Sequence, residues 1–185
     1  MKIKVGVSNR HCHLTQEIYQ KLFGLTKLTE RNPLNQPTQF AANETVTIKG
    51  PKNSLENVRI LGPFRSYNQV EVAKTDCYKL GINPPIRKSG DLRNASPITI
   101  IGPKGEVTLP VAIIANRHIH ITTSEAKELG VKDDEPVMVH INTEKKGIIE
   151  AFWKVSDLSY KEIHLDTDDA NAFLLNQNDE VEIDL

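Results

Sequence analysis

Four of the six histidines in the chain lie in two copies of one short motif. Residues 9–15 are NRHCHLT and residues 116–122 are NRHIHIT, so five of the seven positions are identical. Residues two apart in a strand point to the same side, so both histidines of each copy would project together. Imidazoles paired in this way can bind a divalent metal ion. The four candidate ligands are His11, His13, His118 and His120.

A third candidate ligand follows each copy. Residues 67–72 (YNQVEV) align with residues 160–165 (YKEIHL), and the fifth residue is Glu71 in one segment and His164 in the other. Three protein ligands leave a coordination position open, which is typical of catalytic zinc sites. We therefore predict two catalytic metal centres, with zinc as the first choice and manganese, cobalt or iron as alternatives.

Arg65 is the candidate for binding an anion. It ends a turn at residues 62–65 (GPFR), six residues before Glu71, where a guanidinium could bind phosphate through two parallel hydrogen bonds. The turns at residues 50–52 and 102–105 resemble loops that cradle phosphate. No helix is expected directly after them, so we interpret them as hairpin turns.

Other charged residues near the motifs have two interpretations each. Arg10 and Arg117 directly precede the histidine pairs. They either serve the sites or pair with carboxylates on the opposite face of the strand. Three aspartates follow His164, and they either orient that ligand or cap a helix. These are Asp166, Asp168 and Asp169.

Local patterns predict the elements that hold these residues. Val, Ile and Leu precede each motif and predict strands, while a threonine at its end and a later glycine delimit a short helix. We expect a long loop over residues 25–43 that includes a strand around residues 38–40, a β-meander over residues 44–72, helices at residues 75–80 and 168–174, and a last strand at residues 180–183. Many short strands and an internal repeat predict two related β domains, either barrels or sandwiches.

Composition excludes several classes of function. The formal net charge is −1 over 185 residues, so nothing attracts the chain as a whole to nucleic acid or to an anionic membrane. Two cysteines, Cys12 and Cys77, are too few for a disulfide framework, which favours a reducing compartment. No signal peptide or transmembrane run is visible, so we expect a cytoplasmic protein.

Seven segments along the chain form one ordered pattern: residues 8–13 (SNRHCH), 61–65 (LGPFR), 69–71 (QVE), 75–76 (TD), 85–91 (PIRKSGD), 117–120 (RHIH) and 164–172 (HLDTDDANA). In this order they resemble one known family, the phosphate propanoyltransferases, which are phosphotransacylases of the propanediol-utilisation type. The resemblance implies a mainly β fold with short α-helices, built as two small β-barrel domains related by internal duplication. One barrel would comprise residues 1–9 plus 116–185 and the other residues 10–115, with the active site between them.

The same resemblance implies the reaction and the role of each site residue. A short-chain acyl-CoA, propanoyl-CoA or acetyl-CoA, and phosphate would be converted reversibly to acyl phosphate and CoA, with Arg65 holding phosphate. Two zinc ions are implied. His11, His13 and Glu71 would bind one of them, which also contacts the coenzyme A sulfur. The other would be bound by His118, His120 and His164.

The partners that we expect are acyl-CoA and phosphate, and neither nucleic acid nor a membrane. The possibility of a homo-oligomer stays open. Relatives packaged in bacterial microcompartments carry an N-terminal amphipathic extension, and none precedes residues 1–3, so we expect a free enzyme. A binuclear zinc hydrolase acting on a thioester or phosphoester could use the same ligands. A non-enzymatic module held together by metal is the third interpretation.

Overall fold

The computed structural model describes residues 1–184, which form two compact units. The middle unit comprises Arg10–Ala115, and the terminal unit comprises Met1–Asn9 together with the chain from Asn116 onwards. Each unit has its own hydrophobic core. The chain is mainly β with short helices and forms two six-stranded barrels, which confirms the predicted fold class.

The described residues contain fourteen strands and four helices. The strands are β1 (Lys2–Ser8), β2 (His11–His13), β3 (Glu30–Pro33), β4 (Phe40–Lys49), β5 (Ser54–Gly62), β6 (Gln69–Glu71), β7 (Ile86–Arg87), β8 (Ser96–Ile101), β9 (Glu106–Ala115), β10 (His118–Ile121), β11 (Pro136–Ile141), β12 (Gly147–Val155), β13 (Glu162–Asp166) and β14 (Glu180–Ile183). The helices are α1 (Gln16–Phe23), α2 (Lys74–Leu80), α3 (Thr123–Leu129) and α4 (Thr167–Ala172).

The two barrels have the same strand order and the same pairing directions. The middle barrel runs β4-β5-β2-β6-β9-β8, and β8 pairs back to β4. The terminal barrel runs β11-β12-β10-β13-β1-β14, and β14 pairs back to β11. In each, the motif strand lies between a parallel neighbour, β5 or β12, and an antiparallel neighbour, β6 or β13. The duplication seen in the sequence is therefore a duplication of the whole barrel.

The strand that precedes each motif belongs to the other barrel. β1 lies in the terminal barrel, whereas β2, which follows it after Asn9 and Arg10, lies in the middle barrel. In the same way β9 closes the middle barrel and β10 belongs to the terminal one. The apolar strand before each motif and the motif itself are therefore separate strands, because they pair with different sheets.

Alternation along the strands sorts core residues from functional ones. In β2 the fully buried Cys12 packs into the core of the middle barrel, so His11 and His13 lie on the other face. In β10 the residue between the two histidines is Ile119, which is fully buried in the core of the terminal barrel. This packing places both histidines of each motif on the same face of their strand, as predicted.

The helices α1 and α3 begin and end at the threonine and glycine that the sequence predicts. The Thr15 side chain caps α1 by accepting a hydrogen bond from the Ile18 amide, and Gly24 ends it with a φ of 69°. At α3 the capping box of Thr122 and Glu125 is present. α2 and α4 begin one residue earlier than predicted, at residues 74 and 167, and α4 ends at residue 172. None of the helices in the described part of the chain has the length and apolar character needed to cross a membrane.

Two expectations about the middle unit need correction. Residues 25–43 contain β3, which was not expected, while β4 begins at Phe40, at the end of the strand expected around residues 38–40. Residues 44–72 do not form a meander, because β5 and β6 do not pair with each other. β2 lies between them, parallel to β5 and antiparallel to β6. β5 and β6 are consecutive in the sequence, but β2, the first strand of the unit, lies between them in the sheet.

Ile119→Ala should lower the free energy of unfolding by about 2–5 kcal/mol, because it leaves a cavity in the closed core of the terminal barrel. Met138→Ala is the matched control, since Met138 lies on β11 of the same barrel and is 43% exposed. This control should change the free energy of unfolding by about 0.5 kcal/mol or less. Guanidinium unfolding in the presence of a chelator measures both. Equal losses in the two variants would contradict the assignment of the core.

Candidate metal centres

The middle centre comprises His11, His13 and Glu71. In the antiparallel pairing of β2 with β6, His11 lies opposite Glu71. The His11 Nε2 is 3.4 Å from the Glu71 Oε2, and the His13 Nε2 is 3.9 Å from the Glu71 Oε1. One candidate ligand atom from each residue lies within 4.8 Å of the other two. The structure therefore brings together the three residues that the sequence groups in the first half.

The terminal centre comprises His118, His120 and His164. β10 pairs antiparallel with β13, so that His118 lies opposite His164. The Nε2 atoms of His118 and His120 are 3.2 Å apart, and the ring centroids of His120 and His164 are 4.5 Å apart. The three candidate ligand atoms again lie within 4.8 Å of one another.

One ring in the terminal centre has its tautomer fixed by the backbone. The Nδ1 of His118 is 2.9 Å from the Asn116 carbonyl oxygen. A carbonyl can only accept, so Nδ1 donates this hydrogen bond and Nε2 keeps its lone pair. That lone pair is directed towards the Nε2 of His120. Such a hydrogen bond from the other ring nitrogen is typical of histidines that bind metal ions.

Burial keeps histidines of both centres neutral. The pKa of His13 falls from 6.5 to about 3, first through burial and then through the charges of His11 and Arg65. Burial, followed by the charges of His164 and His118, also lowers the pKa of His120. Neutral imidazole is the form that binds metal, because the lone pair is then available. In both centres the short distances between the candidate ligand atoms, and the imidazole and carboxylate types of these ligands, fit a bound zinc ion.

Arg65 lies close to the middle centre. Its backbone amide donates a hydrogen bond of 2.9 Å to the Leu14 carbonyl, directly after β2. Its positive charge contributes to the low pKa of His13. The Nε of Arg65 is buried and has no hydrogen-bond partner among the described residues. A guanidinium with an unsatisfied donor beside this centre can bind an anion.

Arg10 and Arg117 pair with carboxylates, so the structural interpretation of these residues applies. The Arg10 Nε donates to the Asp76 Oδ1 at 3.2 Å. Arg117 donates to both carboxylate oxygens of Asp169, at 2.8 and 2.7 Å, and this hydrogen bonding raises the pKa of Arg117. Both aspartates lie in the first turn of a helix, α2 or α4. Each arginine thus ties a motif to the helix that follows the third ligand.

The aspartates after His164 have structural contacts in the same region. Asp166 is the N-cap of α4 and accepts a hydrogen bond of 2.8 Å from the Asp169 amide. Capping was one of the two interpretations of this group. The interpretation of residues 102–105 as a hairpin turn is also correct, because the Gly102 amide donates to the Gly105 carbonyl between β8 and β9.

Sequence reasoning did not include Gln69 and Glu162 among the functional candidates. Gln69 is fully buried and donates to the Glu71 Oε1 at 2.6 Å. Glu162 is 3% exposed, and its Oε2 lies 2.8 Å from the His164 Nε2. Both are the third residue of the aligned segments that begin at residues 67 and 160. A polar residue two positions before each third ligand was the signal that could have found them.

Comparison with known proteins gives one consistent result. The sequence model of the phosphate propanoyltransferase family matches residues 4–176. A phosphate propanoyltransferase from Thermotoga maritima is 47% identical over 185 residues, which cover 98% of this chain and 88% of the relative. One from Priestia megaterium is 48% identical, covering 96% and 83%, and one from Salmonella typhimurium is 44% identical, covering 92% and 82%. The similarity extends through both barrels.

We expect the metal-free protein to become less stable as the pH falls from about 6.5 towards 3. Because the pKa of folded His13 is about 3, the unfolded chain binds more protons in this window, and the free energy of unfolding rises with pH. Each such histidine contributes a slope of at most about 1.4 kcal/mol per pH unit. Urea unfolding with a chelator at several pH values measures the slope. His13→Gln should reduce it, and an unchanged slope would contradict the assigned cause.

Proposed function

Because the chain belongs to the phosphate propanoyltransferase family, we propose that it transfers a short acyl group reversibly between coenzyme A and phosphate. An acyl-CoA and phosphate give acyl phosphate and CoA. The observation that carries this proposal is the pair of three-ligand clusters, one on each barrel, in which both motif histidines are buried. Three ligands leave room for a substrate atom, as catalysis requires. Propanoyl-CoA is the substrate suggested by the relatives' names, and acetyl-CoA is the second candidate.

Each cluster is proposed to hold one zinc ion. His11, His13 and Glu71 would bind the first, and His118, His120 and His164 would bind the second. When bound, zinc supplies a Lewis acid that stabilises the oxyanion of the acyl-transfer intermediate and the leaving thiolate. The protein contributes neutral imidazoles held on rigid strands, which present lone pairs without reorganisation. The two clusters differ in charge, since only the middle centre contains a carboxylate among its three ligands.

Arg65 is proposed to bind the phosphate substrate. Phosphate is a weak nucleophile, so its position relative to the acyl carbonyl matters more than its activation. The Arg65 guanidinium has a buried Nε with no hydrogen-bond partner in the described part of the chain. Two parallel hydrogen bonds to phosphate oxygens would satisfy that donor and fix the orientation of the anion.

Direct transfer from the thioester to phosphate is the mechanism that we favour. Cys12 and Cys77 are both buried. Burial, followed by the negative charge of Glu71, raises the pKa of Cys12 far above its usual range, so its thiol does not ionise to a nucleophile. The proposed reaction needs no protein nucleophile. We also propose a cytoplasmic location, because free cysteines fit a reducing compartment.

Withdrawal of phosphate should stop the release of free thiol from propanoyl-CoA and acetyl-CoA, because phosphate is the acceptor. Chelation should stop it as well, because the two clusters would lose their metal ions. A thiol reagent follows both reactions with the purified protein. A binuclear zinc hydrolase would continue to release thiol without phosphate, and that result would replace the transferase proposal. A stable acyl-protein adduct in mass spectrometry would contradict direct transfer.

Arg65→Ala and His120→Ala should each lower turnover by at least about 100-fold while leaving a folded protein, because each removes a group that contacts phosphate or metal. Arg65→Lys should retain part of the activity, since it keeps the charge but loses the planar fork. Lys104→Ala is the matched control, because Lys104 is an exposed cation in a hairpin turn. Turnover is followed by thiol release, and folding by circular dichroism. Wild-type rates in the alanine variants would refute the assignment.

A further inference from the structure

Two buried polar residues occupy the same place in the two barrels. Gln69 lies opposite His13 in the pairing of β6 with β2. Glu162 lies opposite His120 in the pairing of β13 with β10. Each is located two residues before the third ligand, so it points to the same side of the strand as that ligand. The duplication has therefore kept a buried polar position in both barrels while changing its chemistry.

Gln69 is held by a complete set of directional contacts. Its Nε2 donates to the Glu71 Oε1 at 2.6 Å and to the Ser89 Oγ at 2.9 Å, and its Oε1 accepts from the Gly90 amide at 2.7 Å. A backbone amide can only donate, so the orientation of the Gln69 amide group is determined. Its Nε2 must then face the Glu71 carboxylate. Gln69 thus links Glu71 to the loop that carries Ser89 and Gly90.

Glu162 makes the opposite kind of contact. Its Oε2 lies 2.8 Å from the His164 Nε2. A carboxylate accepts, so the His164 ring donates from Nε2 and keeps its lone pair on the other nitrogen. Carboxylates that accept from the second nitrogen of a metal-binding histidine fix the tautomer and the ring orientation. Glu162 is 3% exposed, which means that solvent does not replace this contact.

A glycine makes room for the Glu162–His164 pair. Gly6 of β1 lies beside His164 in the parallel pairing with β13. A Cβ at this position would come 2.6 Å from the Glu162 Oε2 and 3.0 Å from the His164 Cδ2. In the middle barrel the matching residue beside Glu71 is Ile113, which carries a full side chain. Glycine is thus found in the barrel where the third ligand is an imidazole that contacts the carboxylate two residues before it.

We propose that Gln69 and Glu162 are positioning residues, each matched in hydrogen-bond type to the third ligand of its centre. An amide donor orients a carboxylate in the middle centre, and a carboxylate acceptor orients an imidazole in the terminal centre. The inference rests on the proposed function in so far as the two clusters bind metal. It explains why both members of the pair differ between the barrels, since Gln69 accompanies Glu71 and Glu162 accompanies His164.

Zinc affinity tests each centre separately. His118→Ala leaves the middle centre for study, and His11→Ala leaves the terminal centre. In the His11→Ala background, Glu162→Gln should weaken zinc binding by about 10- to 100-fold in competition with a chromogenic chelator. In the His118→Ala background, the same substitution should leave zinc affinity unchanged. Gln69→Glu should show the reverse pattern, because it places two carboxylates in contact. Glu182→Gln, on an exposed position of β14, is the matched control.

A spectroscopic readout separates positioning from general stability. Cobalt bound at the terminal centre should show a changed visible absorption spectrum in Glu162→Gln, because the orientation of His164 changes. If Glu162→Gln does not fold, Gly6→Ala should produce the same loss of zinc affinity by displacing Glu162. Unchanged zinc affinity, or a loss only in the stability of the metal-free protein, would overturn the inference. Absence of zinc binding by the wild-type protein would instead refute the proposed metal centres.

Discussion

The two-residue period of a very short strand is the constraint on which both centres depend. β2 has three residues, and its central Cys12 is fully buried in a barrel core. Burial of that one side chain fixes the rotation of the strand, and this directs both flanking imidazoles away from the core. Ile119 has the same role in β10. The hydrophobic effect at one position thus directs two polar groups to the opposite face of the strand.

Duplication has preserved the geometry of the barrels while allowing their chemistry to differ. All six strand pairings recur with the same direction in both barrels. Within this common frame, the third ligand is a carboxylate in one centre and an imidazole in the other. With zinc bound as proposed, the centre with a carboxylate would carry less positive charge, and the centre with three imidazoles would carry more. Two copies of one fold would then give the same ion a different electrophilic character.

Local sequence patterns were sufficient to predict the candidate ligands and most of the helix ends. The histidine motifs, Glu71 and His164 could be grouped because the duplicated chain provides its own alignment, and the helix ends follow from threonine and glycine. The position of β2 between β5 and β6 could not be predicted, because it depends on pairing between residues that are 48 to 60 positions apart in the chain. Gln69 and Glu162 were missed because a polar residue in a strand is expected to face solvent, and only the tertiary contacts show that both are buried.

The assignment of β1 to the terminal barrel, although the middle barrel follows it in the chain, has a consequence for synthesis of the protein. The middle barrel can close as soon as Ala115 has left the ribosome, because all its strands are then present. The other barrel needs β1, which is made before the middle barrel, and β10 to β14, which are made after it. During translation β1 must therefore wait with unpaired backbone edges, which are open to pairing with other chains. A circular permutant that begins at residue 116 and joins the old ends would make each barrel from consecutive residues and would shorten that exposure.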